Sequence, residues 1–133
     1  HGALYNIAAE DKGLAMLIGE VVKSIDPLLP IMCLAGSQMI TVLESIGLKA
    51  MPESFADRTY EPDGTLRKRS YSNALIDNHQ IASNQAYNIY YNKRIIAHEG
   101  SEFSIDSKTI CIHSDTENAL KIAKAVKQKL IRS

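Results

Sequence analysis

The stretch "IMCLAGSQMITVLESIGLKAMP", Ile31 to Pro52, changes hydrophobic period twice. Ile31–Leu34 is a continuous apolar run of strand length. Ala35-Gly36-Ser37 then turns into an amphipathic helix with Met39, Ile40, Leu43 and Ile46 inward. Gly47 stops that helix, as a glycine past the last turn commonly does. "LKAMP", Leu48 to Pro52, follows as a short second strand. Strand, helix and strand of this kind indicate an α/β protein whose parallel sheet is covered by helices.

The flanks extend the pattern. Upstream, Leu14, Leu17, Ile18, Val21, Val22 and Ile25 form an inward helical stripe. "IDPLLP" ends it, because two prolines cannot continue a helix. Downstream, "HQIASNQAYNIYYNKR", from His79 to Arg94, is expected to be a third helix. "RIIAHEGSEFSI" reads as a hairpin turning near Glu99-Gly100. "TICIH", Thr109 to His113, reads as a third buried strand. In the last helix Ser114 and Glu117 stand at capping-box spacing, and Ala119, Ile122, Ala123, Val126 and Leu130 point inward. Only three parallel strands are convincing, and His1 reads as following a strand that is absent. The expectation is a single domain over residues 1–133 that forms part of a larger α/β sheet or barrel.

Composition narrows the function. Fifteen basic and fifteen acidic residues leave no net charge, which argues against a nucleic-acid or anionic-membrane binder. Tyr87, Tyr90 and Tyr91 therefore read as core and rim residues, since no basic groove accompanies them. No apolar run approaches bilayer-spanning length, and no secretory leader is legible. Cys33 and Cys111 lie in apolar runs without a CxxC motif and read as buried, reduced thiols of a cytoplasmic protein.

Ligands of α/β sheets and barrels bind beyond the carboxyl ends of the strands. Reactive side chains gather at those ends: Glu53 and Asp57-Arg58 after "LKAMP", His113 and Asp115 after "TICI", and His1 before the first helix. His1 and His113 can ligate metal or shuttle protons. Arg58, Arg67 and Arg69 can grip a carboxylate or phosphate. Each has a plainer reading. Ser114 and Asp115 can simply cap a helix, Asp63-Gly64 is a turn dipeptide, and "RKR" can be a solvated run. His79 and His98 read as structural.

Together "HGALYN", "AGS", "SFADRTYEPDGTLRKRS" and "TICIHSDTENAL" resemble the LamB/YcsF family, in order and spacing, from His1 to about Leu130. The FADR-x-Y-x-x-DG-x-L stretch is the most specific of these. Family members are about twice this long, so the resemblance places the chain in the C-terminal half, with the N-terminal half of the barrel absent. It implies a distorted (β/α) barrel and a component of ATP-dependent 5-oxoprolinase. That enzyme opens the lactam of 5-oxo-L-proline to L-glutamate with ATP hydrolysis, together with subunits B and C. Mg2+ with the ATP is implied too. On this resemblance Asp57, His113 and Glu53 are the acid–base candidates, and His1, Asn6, Arg58, Asp63, Arg69 and Asp115 the substrate- or phosphate-binding ones. His1 and His113 are the metal candidates. Two positions depart from the family pattern. "CIHSD" has Ser114 for a Gly, and "YSNAL" has Asn73 for a Gly, where Asn is expected to sustain a positive φ. Two alternatives are a metal-dependent amide or acetyl hydrolase and a non-catalytic scaffold for the partner subunits. A half-barrel alone is expected to be inactive, and either homo-oligomeric or poorly stable.

Overall fold

The structure, a computed structural model, describes residues 1–131. Two compact units emerge, one spanning His1–Glu53 and a second beginning at Ser54.

The first unit contains α1 (Ala3–Glu10), α2 (Lys12–Ile25), β1 (Ile31–Leu34), α3 (Gln38–Ser45) and the start of β2 (Ala50–Phe55). β1 and β2 run parallel, with Ile31 opposite Ala50 and Leu34 opposite Glu53. The strand–helix–strand reading of Ile31–Pro52 therefore holds, although β2 starts later and runs further than Leu48–Pro52. Gly47 ends α3 with φ +78°, a conformation that residues with a Cβ rarely adopt. α1 was not foreseen. Asp11 closes α1 and caps α2, its carboxylate accepting from Leu14 N at 3.0 Å. The stripe on α2 divides. Ala15 and Gly19 are buried, and Leu14 and Ile18 pack on a core of Ala8, Ala15, Cys33, Met39, Val42, Leu43 and Leu48. Leu17, Val21 and Ile25 are exposed instead.

In the second unit the end of β2 lies beside β5 (Thr109–Cys111), Ala56 N donating to Cys111 O at 3.0 Å. β3 (Arg94–Ile96) and β4 (Glu102–Ser104) form the expected hairpin, antiparallel with Ile95 opposite Phe103. α4 (His79–Tyr87) is shorter than its sequence stripe implied, because Asn88–Asn92 continue as a π-helical turn. Lys93 then closes that turn at φ +51°. It is the only non-glycine with positive φ among the described residues, so Asn73 does not carry the conformation expected of it. α5 (Ala119–Ile131) packs Ile122 and Val126 against Ala82 and Ala86 of α4 and against Ala56. Its predicted Ser114–Glu117 capping box does not form. The helix opens at Ala119, whose N–H donates to Thr116 O at 3.1 Å. Ala123 is exposed and Cys111 only half-buried, while Cys33 is fully buried. No helix among the described residues is long and apolar enough to cross a membrane.

Candidate active site

The chemistry of the second unit gathers where β2 ends. Asp57 is 1% exposed, and a carboxylate buried that far must be hydrogen-bonded. It is held by one residue twice. His113 N donates to Oδ2 at 2.7 Å, and His113 Nδ1 lies 2.9 Å from Oδ1 and 3.1 Å from Oδ2. Because a carboxylate only accepts, Nδ1 carries a proton in this contact, which turns Nε2 away from Asp57. The Phe55 ring stacks on the imidazole at 5.4 Å between centroids and 14° between planes. This is a carboxylate–imidazole pair with a fixed tautomer and a fixed ring plane.

The backbone beneath the pair is engaged too. Phe55 N donates to Tyr60 Oη at 2.8 Å, and Asp57 O accepts from Ile76 N at 2.9 Å. Arg58, also buried, turns inward. Its Nε donates to Ala74 O at 3.2 Å and its Nη2 to Arg67 O at 2.6 Å, which draws the loop over the strand end. Burial, and after it the neighbouring Arg69 charge, lowers the Arg58 pKa from its ordinary value. Arg67 is committed as well, to Glu61 at 2.8 Å and Asn73 Oδ1 at 2.7 Å, with its guanidinium over Tyr71 at 4.2 Å. His98 Nε2 meets Glu61 Oε2 at 2.8 Å. Arg69 is more open, with Asp115 at 3.7 Å and both side chains largely exposed. Asp63 closes the loop tip, accepting from Thr65 N at 2.9 Å and Thr65 Oγ1 at 2.7 Å. Those two bonds hold its pKa below the ordinary carboxylate value.

In the first unit, Glu53 lies inside β2 and not after it, and is 3% exposed. His1 Nε2 meets its Oε2 at 2.7 Å, and Tyr5 Oη donates to the same oxygen at 3.1 Å. The His1 and Tyr5 rings pack edge to face at 4.7 Å. Asn6 donates at 3.3 Å to the carbonyl oxygen of Gly2, the residue just before α1. Each unit thus holds one histidine on one buried carboxylate.

Sequence reasoning picked out Asp57, His113, Glu53 and His1, but not the residues that hold them. Phe55, Tyr60 and Tyr5 fall inside the quoted motifs but carry no charge to single them out, and Gln85 lies outside every one of those motifs.

The chain belongs to the LamB/YcsF family, whose model matches residues 1–133. It is 44% identical over 133 residues to the 5-oxoprolinase A subunit of Tolumonas auensis, covering 100% of this chain and 53% of that protein. It is 42% identical over 130 residues to the 5-oxoprolinase A subunit of Halalkalibacterium halodurans, covering 98% and 51%. A crystal structure of the lactam utilization protein from Thermus thermophilus superposes with a TM-score of 0.89 at 32% identity, over 99% of this chain and 52% of that one. The chain spans about half the length of the relatives it matches.

Proposed function

We propose that the chain contributes acid–base groups to an ATP-dependent 5-oxoprolinase, working in the cytoplasm with subunits B and C. Its parallel strands would belong to a (β/α) barrel completed by a second stretch of comparable length. The observation that carries this reading is the buried Asp57–His113 pair. The names of the relatives point to the same reaction.

A lactam carbonyl is a poor electrophile. Transfer of the ATP γ-phosphoryl to its oxygen makes the carbon open to water. His113, oriented through Nδ1 by Asp57, takes the proton of that water at Nε2, and Asp57 stabilises the imidazolium that results. The ring then returns a proton to the departing nitrogen as the C–N bond breaks, and a second water hydrolyses the acyl phosphate that remains, releasing L-glutamate and inorganic phosphate. In the first unit, Glu53 with His1 on its carboxylate is a proton-transfer candidate in its own right. Arg69, with Asp115 beside it, is the residue for the substrate carboxylate or a phosphate. Arg58, spent on two carbonyls, supplies charge and loop geometry and no bidentate grip. Mg2+ would accompany ATP and supply charge neutralisation on the phosphates.

The test is ADP release by a full-length A subunit containing this chain, mixed with subunits B and C, with and without 5-oxo-L-proline. Asp57→Asn is expected to lower substrate-dependent release by roughly 10²-fold or more, the scale of a lost general base. Release that survives the substitution would move the chemistry elsewhere and favour a scaffold role.

One observation favours a metal-dependent amide or acetyl hydrolase as second reading. Cys111 and His113 bring ligand atoms within 4.8 Å of each other, and carboxylate backing of an imidazole is how metal ligands are oriented. Turnover that requires a divalent metal but no ATP would select it.

A further inference from the structure

We infer that Gln85 is the positioning residue of the Asp57–His113 pair, acting through the backbone on either side of Asp57. The inference rests on the acid–base reading of that pair.

The Gln85 side-chain amide reaches from α4 to three carbonyls of the strand exit. Its Nε2 lies 2.7 Å from Phe55 O, 2.7 Å from Arg58 O and 3.3 Å from Ala56 O. A primary amide has two N–H groups. The two short bonds use both, and the longer contact is the weak branch of a three-centre bond. The two carbonyls held at short range stand two residues before and one residue after Asp57. The chain is thus bent around one nitrogen atom, with the catalytic carboxylate at the bend.

Other bonds fix the neighbouring backbone groups. Along Phe55–Arg58, Phe55 N is taken by Tyr60, Ala56 N by Cys111 O and Asp57 O by Ile76 N. Phe55 O, Ala56 O and Arg58 O each accept from Gln85. Without its amide, three carbonyls at the exit of a buried strand lose a donor.

Gln85 is itself well anchored. Ala82 and Ala86, both fully buried, pack α4 against Ala56 and α5. Their small side chains let the helix approach close enough for a glutamine to span the gap. Asn78 caps the helix, accepting from Gln80 N at 2.9 Å and Ile81 N at 3.1 Å. A group on a capped and packed helix positions more firmly than one on a loop.

The test is spectroscopic. In protein labelled with ¹⁵N-histidine at about pH 8, above the ordinary imidazole range, long-range ¹H–¹⁵N correlations report which ring nitrogen carries the proton. The unaltered protein should show His113 as the Nδ1–H tautomer. Gln85→Met keeps the length and removes both donors, and should lose that signature in favour of the Nε2–H form while the amide spectrum stays dispersed. Asp57→Ala is the control. A signature that survives Asp57→Ala would dismiss the pair itself, and the acid–base reading with it. A signature lost in Asp57→Ala but kept in Gln85→Met would overturn the role of Gln85 alone. Should Gln85→Met fail to fold, Gln85→Asn carries the test, since it keeps an amide but withdraws it by one methylene. Loss of the signature there upholds the inference, and its retention overturns it.

Discussion

Cys33 and Cys111 show how one residue type takes two characters from its surroundings. Cys33 has no exposed surface in β1. Burial, opposed by a hydrogen bond from Met51 and reinforced by the charges of Glu53 and Glu44, pushes its thiol up to about 11. Reaction with an alkylating agent needs the thiolate. At about pH 8 a group with that pKa holds on the order of one thiolate in a thousand molecules. Cys111 is half-buried. Iodoacetamide treatment of the folded protein is expected to modify Cys111 and spare Cys33 until denaturant is added, as peptide mass spectrometry would show. Equal labelling of both would contradict the burial of β1. The sequence made both thiols look alike, because each lies in an apolar run. The partners of the candidate site were hidden for a related reason. Asp57 and His113 stand out by type, whereas Gln85 and Tyr60 matter only through what the fold sets opposite them.

At the scale of elements, the close approach of α2 to α3 depends on Gly19. A Cβ built there would stand 2.6 Å from Ile46 Cδ1 and 3.1 Å from Leu43 Cδ2. The first neighbour is the free end of a side chain and can turn away, so Gly19→Ala trades crowding against better helix propensity, worth about 1 kcal/mol. Gly19→Val adds two more methyl groups to a closed contact. It should destabilise the protein by about 1–3 kcal/mol, measured as a lower urea midpoint with unchanged slope. The regular elements were legible because their periods are distinct, as in Ile31–Leu34 and the Met39–Leu43 face. Element ends were less so. The π-helical turn at Asn88–Asn92 has side chains that an α-helix also accepts, and α5 starts beyond Ser114 because Thr116 O supplies the first turn's bond.

For the whole molecule, the outward face of α2 becomes a prediction. Leu17, Val21 and Ile25 recur at four-residue spacing on one helix face and are 58%, 52% and 77% exposed. A row of this kind is unusual on a soluble surface and marks a place where protein is expected to pack. The chain by itself should self-associate as concentration rises, followed by light scattering, and Val21→Asp should reduce the effect. A sharp monomer across the concentration range would count against it. The parallel strands, the helices and most reactive residues could be read in advance, since polarity and period announce them. The division into two compact units could not, because it falls inside a strand. β2 runs without a break through that boundary, and Glu53 and Ser54 on its two sides are 3% and 0% exposed. Units of this kind are usually joined by an exposed linker that proteases cut. Here the junction offers no such peptide, so limited digestion is expected to spare it, and a gene split at this point would sever a strand.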